Sequence, residues 1–444
     1  MSTEQQLTRR IDLRIIPLAF VLNLASFLDR VNIGQARLYG IEADLGVGPQ
    51  EYAWILSGFF IGYVVFEVPS NLIMKRASPP VWIGSIMICW GITTACTAAV
   101  KGFEGLLAVR LVLGLAEAGF FPGMIHYLSF WYTRQQQGVR IAILNSSTSL
   151  ACAISGPLSY CFGGLEGVFG LHSWQWLFIA EGVPTVLLGM LVWIVLPNTP
   201  LSAPWLTKQE STLLQERLAE SNVDLQTRRF DSKQFVGVFL DYKIYLFMLM
   251  FYGSMCPMYS IALLLPTIIR DLGFEPKTSM LLTAPPYLVA IICNILLAWN
   301  SDRTMNRGFH VCGAALFATM GFVAMLVFET TLPRYLALCM IACGVCSISS
   351  PVLSWSNNTF IGSTRAATTA ALVIMSASIG GIVASHLYLE SEGPRYLQSN
   401  TINIINLLAT IAISFILRFA FKYENMKLSQ TNQSGDPHQF RYTL

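Results

Sequence analysis

Twelve apolar segments, each long enough to cross a lipid bilayer, constrain the fold of this chain more than any other feature. The hydrocarbon core of a bilayer requires about 20 apolar residues per helix. Six segments precede a polar stretch at 198–241 and six follow it, and Pro285-Pro286 interrupts the eighth. We place the segments near 13–34, 52–73, 81–100, 105–130, 138–162, 175–197, 242–266, 277–299, 309–329, 334–354, 366–388 and 401–421. The pattern predicts an all-α integral membrane protein with twelve transmembrane helices.

The composition excludes a soluble protein. Of the 444 residues, 54% are hydrophobic and 12% are charged, whereas soluble domains carry about 25% charged residues. The net charge of +3 gives no sign of a nucleic-acid partner. Nearly all ten cysteines lie in apolar runs, so we interpret them, Cys343 and Cys346 included, as packing residues. We find no nucleophile–base array and no metal-ligand cluster, and we expect no enzyme, cofactor or metal.

The polar stretches divide the chain into five regions. We expect a cytoplasmic N-terminus at 1–12, a six-helix bundle at 13–197, a cytoplasmic linker at 198–241, a second six-helix bundle at 242–421 and a cytoplasmic tail at 422–444. Thr207 and Glu210 have the spacing of a capping box, which predicts a short amphipathic helix in the linker. From about Met426 the polar tail is expected to be unstructured.

The distribution of lysine and arginine predicts the orientation. Of 28 such residues, Arg30 and Arg110 lie inside apolar segments. With the N-terminus inside, 20 of the remaining 26 lie on the cytoplasmic side and 6 on the other. We therefore expect both termini in the cytoplasm and a multi-pass protein of the plasma membrane.

Charged residues inside the apolar segments are the first candidates for function, because each costs about 2.5–3.5 kcal/mol in the bilayer. The first segment holds Asp29 and Arg30, and the fourth holds Arg110 and Glu117. Arg110 and Glu117 are two helical turns apart and share a face. Both pairs are expected at similar depth, where they could meet across a cavity. The alternative is a static ion-pair network that joins the two helices.

Other polar membrane residues are open to more than one interpretation. Glu67 follows Tyr63 by one turn and could contact substrate or pair with Lys75 or Arg76. Glu181 is interpreted as a packing or interfacial residue, and His126 as packed rather than as a proton relay. The second half has the neutral residues Tyr259, Ser260 and Asn294.

The chain resembles the anion:cation symporter family of the major facilitator superfamily. The motifs that carry this resemblance are Leu28–Gly34, Gly62-Tyr63, Val68–Asn71, Arg110–Gly119, Phe121–Gly123, Trp131-Tyr132, Leu265–Ile269, Ala284–Tyr287, Ser301–Arg303 and Trp355–Asn358. Gly393–Tyr396 resembles the fungal branch that takes up allantoate, nicotinate and vitamin acids. Two departures, Ser376–Ile379 before Gly380-Gly381 and His126 in place of a more usual tyrosine, leave the substrate open.

The resemblance implies a rocker-switch transporter of small carboxylates with two pseudo-symmetric six-helix halves, usually driven by protons. In bacterial sugar-acid relatives, the acids matching Asp29 and Glu117 are proton sites and the arginine matching Arg110 relates to coupling. The superfamily's cytoplasmic motif corresponds to Asp302, Arg303 and Arg307. With Asn358, these three residues form the expected gating set.

These inferences predict proton-coupled uptake of a small organic anion by a monomer. We assign proton coupling to Asp29 and Glu117, and substrate binding to Arg30, Arg110, Tyr63, Tyr259 and Ser260. Arginine suits a carboxylate because its planar fork binds both oxygens. The alternatives are an anion exchanger or a sodium- or chloride-linked carrier on the same fold, and a nutrient receptor that signals without transport.

Overall fold

In the computed structural model, residues 3–74, 77–221, 232–360, 363–388, 392–393, 395–431 and 443 are described, and this part of the chain is helical without a β-strand. Its α-helices, in chain order, are α1 (Thr3–Leu38), α2 (Ile41–Leu45), α3 (Pro49–Met74), α4 (Pro79–Cys96), α5 (Phe103–Glu117), α6 (Phe120–Leu128), α7 (Arg134–Phe162), α8 (Ser173–Val195), α9 (Lys208–Ser221), α10 (Ser232–Phe239), α11 (Tyr242–Asp271), α12 (Pro276–Leu282), α13 (Ala284–Thr304), α14 (Arg307–Val327), α15 (Thr331–Thr359), α16 (Ser363–Ser385) and α17 (Leu397–Thr431).

Twelve helical spans in the described part are long and apolar enough to cross a membrane, which confirms the prediction from hydropathy. Two of these spans are broken near proline. The fourth consists of α5 and α6, and the eighth of α12 and α13. Pro122 would clash with the carbonyl group of Ala118, four residues earlier, where the break lies. Pro286 stands in the same relation to Leu282, the last residue of α12.

The chain forms two compact units. The first comprises residues 1–226 and 262–284, and the second comprises residues 227–261 and 285–444. The boundaries expected for two six-helix bundles remain a prediction.

Glycines bring helix backbones together within the first unit. A Cβ atom on Gly114 of α5 would lie 2.0 Å from the carbonyl oxygen of Phe59 in α3. A Cβ atom on Gly182 of α8 would lie 2.6 Å from the carbonyl oxygen of Gly91 in α4. Small residues allow this close approach, which is how helices pack in a membrane without a hydrophobic driving force. Two helix pairs, α3 with α5 and α4 with α8, are therefore closely packed within the first unit.

In the second unit, α14 packs against α15 and α17. The contact between α14 and α15 is again close, since a Cβ atom on Gly344 would lie 2.7 Å from the carbonyl oxygen of Ala314. Phe247, Trp355 and Phe421 form an aromatic cluster among α11, α15 and α17.

In the polar regions, the structure confirms one prediction made from the sequence and contradicts part of another. At the start of α9, the backbone N–H of Glu210 donates to Thr207 Oγ1 at 3.2 Å, and the backbone N–H of Thr207 donates to Glu210 Oε2 at 3.0 Å. This confirms the capping box. Helix α17 extends to Thr431, so the expectation of an unstructured chain from Met426 is wrong as far as Thr431. Residues 222–231 of the predicted linker and 432–442 of the predicted tail lie outside the described residues.

Candidate functional site

Asp29 and Arg30 are neighbours on α1, yet their side chains contact different helices. Successive residues of an α-helix point in different directions. Arg30 faces α3 and α5, where it meets Phe59 and Glu117. Asp29 faces α4 and α8, where it accepts hydrogen bonds from Trp90 and Thr185. The site therefore has two poles, one on each side of α1.

The first pole is a buried ion pair. Arg30 Nη2 donates to Glu117 Oε1 at 2.5 Å, and the Ser26 hydroxyl donates to the same oxygen at 2.5 Å. The Glu117 side chain is 1% exposed and that of Arg30 is 11% exposed. The pair joins α1 to α5. From the sequence, the charged residues of the first and fourth segments were expected to meet across a cavity or to form an ion-pair network, without a statement of which residues pair.

Three aromatic rings surround the guanidinium of Arg30. Its central carbon lies 4.7 Å from the ring centroid of Phe59, 5.0 Å from that of Phe27 and 5.5 Å from that of Tyr63. Such contacts attract a cation electrostatically, more strongly when it is desolvated. Phe59 and Tyr63 are placed by the close contact of α3 with α5 at Gly114. Tyr63, predicted to bind substrate, thus lies next to one of the two predicted arginines.

Arg110 is held differently from Arg30. It is 2% exposed, and its guanidinium carbon lies 5.8 Å from the ring centroid of Phe178 on α8. Neither Nε nor Nη2 of Arg110 donates a hydrogen bond to any residue that the structure describes. Electrostatic attraction links Arg110 to Asp29 and Glu117 without an ion-pair contact to either. An arginine with free donors at this depth is a strong candidate for binding an anion.

The edge of the Arg110 guanidinium formed by Nε and Nη2 is the same edge through which another arginine of this protein, Arg140, binds a carboxylate. Arg140 donates from Nε and Nη2 to the two carboxylate oxygens of Asp12, at 3.1 and 2.7 Å. The same two nitrogen atoms are without acceptors in Arg110 among the described residues. Two parallel N–H groups match two carboxylate oxygens. The edge is therefore suited to bidentate binding of an organic acid.

The second pole contains two acids. Trp90 Nε1 donates to Asp29 Oδ2 at 3.1 Å, and Thr185 Oγ1 donates to the same oxygen at 3.2 Å. Glu181 precedes Thr185 by one turn of α8, so the two share a face, and the negative charge of Asp29 acts on Glu181. Sequence reasoning interpreted Glu181 as a packing or interfacial residue. The sequence does contain a signal for a buried site, because Glu181 lies about two helical turns after the start of an apolar span.

The remaining polar candidates of the first unit are buried to different degrees. Glu67 is 2% exposed, and its Oε2 accepts no hydrogen bond within the described part of the chain. Its expected partners, Lys75 and Arg76, lie outside that part. The ring of His126 lies 4.9 Å from that of Phe130 at the end of α6.

The predicted residues of the second half lie in the second unit. Tyr259 and Ser260 are buried in α11, and the Ser260 hydroxyl donates to the backbone carbonyl of Cys256 at 2.9 Å. Asn294 of α13 is also buried.

The predicted gating residues lie near the end of α13, at the start of α14 and near the end of α15. Arg303 lies over the ring of Trp299, Arg307 is buried at the first position of α14, and Asn358 is exposed near the end of α15. The side chain of Asp302 lies outside the described set. The ten cysteines are free thiols. Within the described residues, no group of three or more His, Cys, Asp or Glu side chains is arranged to hold a metal ion.

Comparison with known proteins identifies relatives over almost the whole chain. A family model described as the Major Facilitator Superfamily matches residues 19–385. The MFS transporter prlL of a fungal species (strain NRRL 50135) is 32% identical, with 94% of this chain and 86% of the relative covered. A candidate tartrate transporter of Agrobacterium vitis is 34% identical, with 86% and 87% covered. A candidate metabolite transport protein of Pseudomonas putida, NicT, is 35% identical, with 85% and 86% covered.

Solved structures show the same fold at low sequence identity. A bacterial homologue of the human lysosomal transporter Spinster, in an inward-facing and occupied conformation, superposes with a TM-score of 0.71 at 14% identity, covering 92% of this chain and 97% of the homologue. The proton:xylose symporter XylE, bound to 6-bromo-6-deoxy-D-glucose, superposes with a TM-score of 0.70 at 13% identity, covering 91% and 95%.

Proposed function

Since this chain belongs to the major facilitator superfamily of membrane transporters, we propose that it takes up a small organic anion in symport with protons. It is a multi-pass membrane transporter and not an enzyme. The proposed cargo is a small carboxylate, such as a vitamin or a nitrogen-containing acid. The proposed mechanism is alternating access by a monomer in the plasma membrane, with both termini in the cytoplasm.

The observation that carries the proposal is that two buried donors on one edge of the Arg110 guanidinium have no acceptor among the described residues. A buried guanidinium is costly unless its donors are satisfied, and Nε and Nη2 of Arg110 have no acceptor among the described residues. A substrate carboxylate would supply two oxygen atoms in the geometry that Asp12 presents to Arg140. The name of the A. vitis relative, which refers to tartrate, supports an organic acid as the class of cargo.

Coupling to protons follows from competition for the arginines. In the structure, Glu117 is held as the partner of Arg30. A substrate carboxylate that engages Arg30 as well as Arg110 would displace Glu117. Burial favours the neutral form of a carboxyl group that has lost its cation, so Glu117 would take up a proton. Anion binding would thus promote proton binding.

Proton coupling also meets the energetic requirement of uptake. Moving one negative charge into a cell with an inside-negative potential costs about 2.3 kcal/mol per 100 mV. A co-transported proton cancels that charge, and a second proton makes the movement favourable.

Replacing Arg110 by lysine tests the recognition of the anion. Arg110→Lys keeps the charge but loses the two-nitrogen edge, so uptake of labelled tartrate, nicotinate and other carboxylates should fall at least about tenfold. Surface expression should stay normal.

The control is Arg140→Lys, which makes the same change at an arginine whose acceptor is Asp12. It should leave the selectivity for carboxylates unchanged. If Arg110→Lys transports as well as the unmodified protein, Arg110 contributes only charge and the recognition model is wrong.

A further inference from the structure

We propose that Asp29 and Glu181 form a second proton-binding pair, distinct from Glu117, and that Glu181 carries a transported proton. This inference rests on the proposed symport and adds to it a residue and a second proton site.

The geometry places Glu181 on the face of α8 that is turned toward Asp29, whose charge acts on it. Thr185, one turn beyond Glu181 on α8, donates to Asp29 Oδ2 at 3.2 Å, so this face of α8 is turned toward α1. The glycine contact between Gly182 and Gly91 fixes α8 against α4. The residues next to these two glycines are Glu181 and Trp90, and Trp90 also donates to Asp29. The close contact of α8 with α4 thus fixes Glu181 relative to Trp90, the residue that donates to Asp29.

Among the described residues, no donor stabilises a negative charge on Glu181. It is 7% exposed, and neither of its carboxylate oxygens accepts a hydrogen bond from the residues that the structure describes. An ionised carboxylate buried in this way is strongly disfavoured, whereas the protonated acid is tolerated. Asp29, by contrast, accepts two hydrogen bonds. One of the two acids is therefore expected to be protonated. We assign the proton to Glu181, because Asp29 has hydrogen-bond donors that stabilise its charge.

The charges around the pair lead to the same conclusion. Among the described groups on the helices packed against α8, Asp29 is the one whose charge acts on Glu181. Asp29 is influenced in turn by Glu117 and Arg110 of α5. The cluster as a whole holds three carboxyl groups and two guanidinium groups, those of Asp29, Glu117, Glu181, Arg30 and Arg110. Two positive charges minus three negative charges leave −1, which a single proton neutralises.

A second proton site increases the number of protons transported with each anion. Glu117 is the site whose occupancy depends on the anion, since it competes for Arg30. The proton of the Asp29–Glu181 pair is bound without displacing an ion pair. Two protons with one monovalent anion carry a net positive charge, so an inside-negative potential would drive uptake.

Infrared difference spectroscopy tests the pair without any anion. The purified protein in lipid is titrated from acid to alkaline pH, and the C=O stretching band of protonated carboxyl groups is followed. We expect a band that disappears as the pH rises, that is reduced in Glu181→Gln, and whose titration is altered by Asp29→Asn. The control is Glu67→Gln, a buried acid on another helix, which should leave this component unchanged.

Two outcomes would overturn the proposal. One is a Glu181→Gln spectrum that superimposes on the unmodified one. The other is a Glu181 band lost on adding sodium at constant pH, which would indicate a cation site. If Glu181→Gln gives too little folded protein, Asp29→Asn carries the test, because the Glu181 band must then titrate at a different pH.

A transport measurement links the pair to coupling. In proteoliposomes with a gradient of about one pH unit, Glu181→Gln should lower the steady-state accumulation of labelled tartrate or nicotinate about tenfold, the equivalent of one coupled proton. Unchanged accumulation would overturn the claim that Glu181 carries a transported proton. If the unmodified protein takes up no anion, the proposed symport fails, whereas the infrared result still decides whether the pair exists.

Discussion

The two arginines inside the membrane spans carry the same charge but have different surroundings. Arg30 has an acidic partner, Glu117, and three aromatic rings around its guanidinium. Arg110 lies near the ring of Phe178, and its Nε and Nη2 atoms donate no hydrogen bond to the described residues. This difference assigns them different tasks in the proposed mechanism. In that mechanism, Arg110 binds the anion. Arg30 also binds it and thereby releases Glu117.

Neutralising Glu117 should separate coupling from binding. Glu117→Gln keeps the size of the side chain but cannot exchange a proton, so the accumulation driven by a pH gradient should fall about tenfold per pH unit. Counterflow of labelled against unlabelled anion at equal pH should persist. The control is Glu104→Gln, an exposed acid at the start of α5, which should behave as the unmodified protein. Undiminished accumulation in Glu117→Gln would rule out this residue as a proton site.

At the residue scale, the sequence predicted which charges are buried but not how they pair. Periodicity relates residues of one helix, which is why Arg110 and Glu117 were expected to act together. The contact of Arg30 with Glu117 depends on the distance and rotation between α1 and α5, which no local pattern encodes. The same holds for Glu181, whose neighbour Asp29 lies 152 positions earlier in the chain.

At the element scale, glycines and prolines determine where charged groups meet. The fourth span breaks after Glu117, so this acid lies at the C-terminal end of α5 rather than inside a continuous helix. The close contact of α3 with α5 at Gly114 sets Phe59 and Tyr63 beside Arg30. Pro122 can be read directly from the sequence, whereas the glycine contacts required knowledge of which helices are neighbours.

Adding one methyl group at Gly114 should disturb this arrangement. In Gly114→Ala, the new Cβ atom would lie 2.0 Å from the carbonyl oxygen of Phe59, so α3 and α5 must move apart. We expect a loss of about 1–3 kcal/mol in stability, typical of overpacking, measured by thermal unfolding of the purified protein. The matched control is Gly164→Ala, because a Cβ atom there meets no atom within 4 Å. Equal melting temperatures for the two variants would show that the glycine contact is not required.

At the scale of the whole molecule, the charged and neutral candidates lie in different units. Asp29, Arg30, Arg110, Glu117 and Glu181 belong to the first, whereas Tyr259, Ser260 and Asn294 belong to the second. We therefore infer that the first unit provides proton coupling and anion binding, and that neutral groups of the second unit select among anions.

Removing the hydroxyl group of Tyr259 tests this division. A mismatched hydrogen-bond partner leaves a buried polar group unsatisfied, which costs about 1–3 kcal/mol. Tyr259→Phe should therefore change the rank order in which unlabelled carboxylates compete for uptake at fixed pH. The control is Tyr245→Phe, an exposed tyrosine on the same helix, which should keep the original order. An unchanged rank order together with a shifted pH optimum would contradict the division.

The overall fold was largely predictable because the thickness of the bilayer sets the length of each span. Hydropathy alone therefore gave all twelve spans. The last helix continues beyond its apolar segment to Thr431, and in this extension Glu424 forms an ion pair with Lys243 at 2.6 Å. That contact joins residues distant in sequence, so the polar composition of the tail could not reveal it.

Proton-driven accumulation of a carboxylate in proteoliposomes tests the central claim most directly. The protein is reconstituted, the outside is made acidic, sodium is absent and no counter-anion is trapped inside. Labelled tartrate and nicotinate are offered within a panel of carboxylates while a dye reports internal pH. We predict that at least one acid accumulates above its external concentration and that the lumen acidifies together with its uptake. Uptake that requires sodium or a trapped anion, or that leaves the internal pH unchanged, would contradict the account.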